Sequence, residues 1–308
     1  MDPSLRGTTP PPPRSDLSVQ HERKDVPWTL TTPRVGVRGP KRLYRLRPPG
    51  WVATVDDFDN GWDAKAVLVD GRWVDRMPRR PEVEAPLRRE TGLLPWLAPQ
   101  LPLPVPEPVV VSHIPLRVRH RLIEGLPCPG VTAEQGQAVG AFLRVLHDVT
   151  VSDARSIGVP DKQLGDTWPR FEHEVLPMIA AAERGLVEPA TQLLERCAHA
   201  PKAALVHGDF GPDHIRVQGG VVSGIIDWTD ACIGDPALDL AWVLYGTQPA
   251  FAEAIKAAYG VDEELVCRAR DWRLLGPWHE VTYGLDLNDP GYVRSGMAGV
   301  VDRLRTKC

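Results

Sequence analysis

The chain has 308 residues, 43% of them hydrophobic and 25% charged, with a net charge of −4. Domain lengths of ~100–200 residues suggest two compact units, or one plus an extension, with enough apolar residues for a sizeable core. No run of about 18 apolar residues is present, which excludes a membrane-spanning helix. The start has no charged segment leading into an apolar stretch, so no secretory signal is expected. Five scattered cysteines without a C-x-x-C pair argue against a disulfide framework or a thiolate zinc site, and for a reducing cytoplasm.

Charge is unevenly spread. Residues 1–50 hold ten Lys/Arg against four Asp/Glu, residues 51–125 ten against eleven, and residues 126–308 sixteen against twenty-five, giving +6, −1 and −9. The first segment also holds ten of the 32 prolines, including Pro10 to Pro13, and is expected to be a disordered extension. Its two aromatic residues, Trp28 and Tyr44, do not make the repeated basic–aromatic interleaving of a nucleic-acid platform. The acidic last segment favours a cationic small molecule.

In chain order, 51–58 (WVATVDDF) suggests a strand, followed by Asp59-Asn60-Gly61 turn chemistry. Ala64–Val69 and Arg72–Met77 flank Asp70-Gly71, a strong hairpin signal because both turn positions take positive φ. A helix is predicted over Pro86–Leu97, with Leu87, Leu94 and Leu97 at helical spacing and Glu90 among them. Five prolines between Pro99 and Pro108 enforce an extended connector. Val109–Val111 and Leu116–Ile123 read as strands. From residue 126 the pattern turns helical. Thr132 and Gln135 form a capping box ahead of the stripe Val139, Phe142, Leu143 and Leu146. Further helices are predicted over 168–184, with a kink at Pro177, and over 189–199, 249–260 and 262–275. One β-rich interruption comprises Ala204–Val206, Ile215–Val217 and Val222–Ile226.

The chemistry concentrates in Leu205-Val206-His207-Gly208-Asp209-Phe210-Gly211-Pro212-Asp213-His214 and in Ile225-Ile226-Asp227-Trp228. Two loops at the ends of paired strands bring Asp209, His214 and Asp227 together. Phosphoryl transfer needs one carboxylate to take the proton of the attacking group, and further ligands for a metal that neutralises phosphate charge. His207, Asp209 and His214 also read as a hydrolase metal site, but no second His/Asp cluster accompanies them.

H-G-D-x-x-x-x-H, then I-I-D-W, then G-D-P-A-L-D-L-A resembles the aminoglycoside phosphotransferase family, a small-molecule branch of the protein-kinase-like fold. Gly71 to Arg79 is similar to its third-strand segment, Leu87-Arg88-Arg89-Glu90 to its lobe-bridging helix, and Leu101 to Pro106 to its proline connector. Coverage is roughly residues 51–280. The resemblance implies an α+β, two-lobed fold: a β-rich nucleotide-binding N-lobe over 51–125 and a helical catalytic and acceptor-binding C-lobe over 126–308.

It further implies that Asp209 orients the acceptor hydroxyl or takes its proton, that Asp227 and His214 bind Mg²⁺, and that Asp239 braces the catalytic loop. His214 stands where most members carry asparagine, as in the aminoglycoside 2″- and macrolide 2′-phosphotransferase branches. Arg76 stands where kinases place a phosphate-binding lysine, with Glu90 as its ion-pair partner; Lys65 competes for the phosphates. Trp278, His279 and Glu280 are candidates for the acceptor site, and the nucleotide base is placed near Arg121–Glu124. The implied activity is transfer of phosphate from ATP or GTP to a hydroxyl of a small molecule, first an aminoglycoside, then a macrolide or a metabolite. A nucleotide-binding protein with little catalysis is the alternative of another class. A protein kinase fits less well, because Gly234 stands only seven positions after Asp227. The expected protein is a cytoplasmic monomer without nucleic-acid or membrane partners.

Overall fold

The computed structural model describes residues 56–58, 63–165 and 167–306. The expected extension, the first residues of the 51–58 strand and the Asp59-Asn60-Gly61 turn lie outside them. An antiparallel sheet in the order β1-β2-β3-β5-β4 contains β1 (Asp56–Phe58), β2 (Ala64–Val69), β3 (Trp73–Pro78), β4 (Val109–His113) and β5 (Leu116–Arg121). The Asp70-Gly71 turn forms with positive φ at both residues, 54° and 65°, and sets Val69 opposite Trp73. Along β5, Leu116, Val118 and His120 are buried while Arg117 and Arg121 face out, the period-2 alternation of a half-covered sheet.

Helix α1 (Glu84–Leu97) packs against this sheet and buries Leu87, Glu90, Leu93, Leu94 and Leu97. It starts two residues before the expected Pro86, because a 3₁₀ turn over Pro81–Val83 leads directly into it. The proline connector then lies on the helical part, where the Pro104 carbonyl accepts from the Ile225 N–H at 2.9 Å.

The remainder is helical: α2 (Ala133–His147), α3 (Val151–Ser156), α4 (Thr167–Arg170), α5 (Leu176–Ala182), α6 (Val187–Ala198), α7 (Ala237–Tyr245), α8 (Pro249–Tyr259), α9 (Glu263–Asp286) and α10 (Pro290–Arg305). Half of the predicted capping box forms. Thr132 accepts from the Gln135 N–H at 3.3 Å, but the Gln135 side chain donates to the Gly220 carbonyl instead of returning to the cap. The helix expected over 168–184 is divided. A π-helical turn over Phe171–Val175 separates α4 from α5 and absorbs the missing N–H of Pro177.

The helix predicted to end at 275 runs on to Asp286 through Gly276-Pro277. Tertiary burial of Leu275, Trp278 and Val281 outweighs the local breaking tendency of the two residues. Helix α10 went unpredicted, although Asp289 caps it from the Gly291 N–H and Pro290 opens it.

The β-rich interruption divides into two small sheets. β6 (Leu126–Pro127), β8 (Ile215–Gln218) and β9 (Val221–Ile225) pair in the order β6-β8-β9, while β7 (Ala204–Val206) pairs with β10 (Cys232–Gly234). One apolar core gathers Phe142, Phe210, Trp228, Ile233 and Leu240 beneath these strands. A second joins α5, α6, α9 and α10 around Phe171, Trp278 and Val300. No helix among the described residues is long and apolar enough to cross a membrane.

Candidate active site

Strand β7 ends in the loop 207–214. Gly208 takes φ +88°, and a Cβ there would sit 2.3 Å from the Asp230 carbonyl oxygen, so only glycine fits this close approach. The loop is held from below by Asp239, fully buried on α7. Its carboxylate accepts from the backbone N–H of His207 at 2.7 Å and of Gly208 at 2.9 Å. His147 Nε2 lies 3.2 Å away, and its Nδ1 meets the Tyr259 hydroxyl at 2.9 Å. Burial works against the carboxylate's charge, but His147 and the loop amides outweigh it and hold Asp239 below the usual range. His207 is wholly buried, packed 4.7 Å from Trp228 between ring centroids, with Nε2 on the Ile226 carbonyl. This is a packing role, and burial lowers its pKa.

Asp209, by contrast, is exposed at the loop crest. His214 links it to Asp227: Nδ1 contacts the Asp209 carbonyl oxygen at 2.7 Å, and Nε2 lies 3.7 Å from Asp227 Oδ2. Burial opposes protonation of His214, yet Asp209 and Asp227 together raise its pKa. Asp227 follows β9 with φ +68°, a left-handed conformation that costs an aspartate energy and marks a constrained site. Burial would raise its pKa, but Arg76 foremost, then the two histidines, draw it down to about 2.

Arg76 is the junction between sheet and helical part. From β3, its Nη1 donates to both oxygens of Glu90 at 2.9 and 2.8 Å. Its Nη2 donates to Asp227 Oδ1 at 2.7 Å and to Thr229 Oγ1 at 2.8 Å. The Thr229 hydroxyl donates in turn to Glu90 Oε1 at 2.8 Å. One planar guanidinium thus meets four oxygens, which an ammonium cannot do. Lys65 does not share these contacts; it lies on β2 opposite Met77.

Asp63 and Asp230 complete a group of carboxylates. Burial, then Asp209, raises Asp230 to about 6, with Lys162 opposing. Asp63 is also raised, by burial, despite its 2.6 Å ion pair with Arg80. His279 on α9 is lowered to about 4 by burial and then by Lys162, with Asp209 pulling the other way. The His279 ring packs edge-on against Phe171, 4.9 Å between centroids, whereas Trp278 is buried in the second core. A cavity of about 340 Å³ beside Lys162, Lys202, Asp235 and Trp272 does not include Asp209, His214 or Asp227.

The metal question rests on Asp227 and His214. No group of three or more metal-ligating side chains occurs among the described residues. Two protein donors nevertheless fit Mg²⁺, which is commonly held by one or two side chains with phosphate oxygens and water completing the shell. The structure brings Asp209, His214, Asp227, Arg76 and Glu90 into one assembly, whereas the acceptor-site candidate Trp278 belongs to the second core. Sequence reasoning missed Thr229, whose only signal was a hydroxyl two residues after Asp227. It also missed His147, which carried none beyond its place at the end of α2.

A small antiparallel sheet over a helical part, with Arg76 on the sheet meeting Asp227 on a loop of the helical part, defines a protein-kinase-like two-lobed fold. The family model described as "Phosphotransferase enzyme family" (APH) matches residues 54–278, and the chain belongs to that family. Solved structures share the fold at low identity. "The GDP and kanamycin complex of APH(2″)-IIIa" superposes with a TM-score of 0.71 at 23% identity, covering 83% of this chain and 94% of that one. The macrolide 2′-phosphotransferase MphH from Brachybacterium faecium gives 0.63 at 23%, covering 80% and 91%. Viomycin phosphotransferase of Streptomyces vinaceus is 35% identical over 119 residues, 36% of this chain and 35% of that protein. YcbJ of Bacillus subtilis is 30% identical over 195 residues, 57% and 62% respectively, so the chain spans under two thirds of these curated relatives.

Proposed function

We propose that this chain moves the γ-phosphoryl group of a nucleoside triphosphate to a hydroxyl of a small molecule. The observation that carries this reading is the Asp209–His214–Asp227–Arg76 assembly, an exposed carboxylate linked through the partly exposed His214 and Asp227 to the buried Arg76. Asp209 accepts the hydroxyl proton. The acceptor oxygen bonds to the γ-phosphorus while the bond to the β,γ-bridging oxygen breaks, and the nucleoside diphosphate leaves with that electron pair. Arg76, fixed by Glu90, offers its guanidinium to the phosphates. Asp227 and His214 would hold Mg²⁺, which supplies neutralisation of the phosphate charge.

Residues 51–125 form the nucleotide side in this reading and 126–308 the acceptor side. The −9 charge of the latter, with Asp63, Asp209 and Asp230 around the cleft, supports an amine-bearing acceptor such as an aminoglycoside. A coupled turnover assay with Mg²⁺, crossing ATP and GTP with aminoglycosides and macrolides, tests it. Acceptor-dependent turnover that falls by about three orders of magnitude or more in Asp209→Asn, with nucleotide binding retained, is the expected result. Full turnover in that variant overturns the assignment.

A further inference from the structure

Next to the catalytic loop lies a pair of arginines that the phosphoryl-transfer assembly does not use. The Trp242 Cβ on α7 is 3.9 Å from where a Cβ on Gly211 would stand, two residues past Asp209. At the far end of the same indole, Arg273 of α9 lies with its Cζ 4.5 Å from the ring centroid, and Arg303 of α10 at 6.0 Å. Arg303 Nη1 donates to the Arg273 backbone carbonyl at 2.5 Å, and both guanidiniums lie against the one indole. Gly276 makes the arrangement possible, since a Cβ there would stand 2.2 Å from the Trp242 ring.

Neither arginine forms an ion pair among the described residues, and Arg273 Nη1 is buried without a hydrogen-bond partner. Burial and then Arg303 lower Arg273 to about 9; Arg303 is lowered to about 10, with Glu280 and Asp302 opposing. Stacking on Trp242 offsets part of this cost. An uncompensated pair of like charges in a half-buried position is nevertheless unfavourable unless an anion joins it.

We propose that Arg273 and Arg303, seated on Trp242, bind an oxyanionic group of the acceptor, a carboxylate or a phosphate ester. The inference rests on the phosphotransferase reading and refines its substrate class. The acceptor is amphoteric, with its amine toward Asp209 and Asp230 and its acid toward the guanidiniums. The lobe's −9 charge therefore does not describe this face of the cleft.

Direct binding tests the site independently of turnover. The Trp242 indole N–H resonance, assigned with Trp242→Phe, is followed while protein saturated with nucleotide and Mg²⁺ is titrated with acetate or inorganic phosphate. A saturable shift that disappears in Arg273→Gln and weakens in Arg303→Gln is expected. A shift that never saturates, or is equal in the variants, overturns the site. Turnover then separates the sources of the anion, comparing serine with ethanolamine, glycerol 3-phosphate with glycerol, and kanamycin as a polyamine without an acid. At least one acid-bearing member should exceed its partner lacking the acid in kcat/KM by about tenfold or more, the worth of one charge-assisted contact, and Arg273→Gln should collapse that ratio through KM. Preference for kanamycin, with a ratio unaffected by Arg273→Gln, rejects the proposal while leaving phosphoryl transfer intact. Anion binding without turnover of any acceptor upholds the site and rejects the phosphotransferase reading.

Discussion

Arg76 donates to Asp227 across 2.7 Å although 151 residues separate them in the chain. The first stands on β3 of the sheet and the second on the loop after β9, so this contact joins the two halves at the proposed phosphate position. Its strength depends on Glu90 holding the other nitrogen. Arg76→Met leaves two carboxylates without their cation and should cost about 3–5 kcal/mol of stability. Arg76→Lys should fold but raise the nucleotide KM by about tenfold, because one ammonium cannot serve four oxygens. Thermal melts and steady-state kinetics check both, and an Arg76→Lys enzyme with unchanged nucleotide KM contradicts the role.

Asp239 receives two backbone N–H groups of the catalytic loop and faces His147. Asp239→Asn removes the charge and presents an amide donor to groups that already donate. A loss of about 2–4 kcal/mol in denaturant unfolding is expected, with activity falling more than stability alone explains. Equal stability of the two proteins would show that the carboxylate does not brace the loop.

Gly208 meets both a steric and a conformational demand. Gly208→Ala places a methyl 2.3 Å from the Asp230 carbonyl and imposes φ +88° on an L-residue. Expected are a destabilisation of about 1–3 kcal/mol and a large drop in kcat, because the loop must shift to relieve the clash. Calorimetry with single-turnover kinetics measures the two effects separately.

His120 is buried on β5, and burial first, then Arg76, lowers its pKa from 6.5 to about 4. The unfolded chain therefore binds a proton that the folded one refuses. The stability of the neutral ring is fully present above pH 6.5 and is lost as pH falls toward 4, by at most about 3 kcal/mol. A His120→Gln variant should show a flatter stability profile across that window in urea titrations at successive pH values. A parallel profile refutes the assignment.

Legibility from sequence followed the range of the interactions. The Asp70-Gly71 hairpin and the helical stripe of α2 depend on neighbours within a few residues, and both were readable. The site motifs were readable because Asp209, His214 and Asp227 lie on short segments bounded by apolar strands. Apart from α10, whose local start signals at Asp289 and Pro290 went unread, what escaped depends on distant contacts. Gly276-Pro277 looks like a helix end until Trp242 and the second core are seen to hold α9 together. Thr229 looks like an ordinary loop residue until Arg76 arrives from another element. Gln135 likewise abandons its local cap for Gly220, because a carbonyl 85 residues away is the better acceptor.

Asp239 has a consequence for how this chain can change over generations. Its buried charge is tolerable only when the amides of residues 207 and 208 are in place, so the catalytic loop and the core around α7 succeed or fail as one event. Mutational drift that relaxes the loop is penalised as misfolding before it is tested as chemistry. Arg273 and Arg303 carry no such obligation, since neither closes an ion pair among the described residues, and both can be exchanged without stranding a carboxylate. In the proposed reading, new acceptors are gained by rewriting that wall, while Asp209, His214 and Asp227 opposite it are kept.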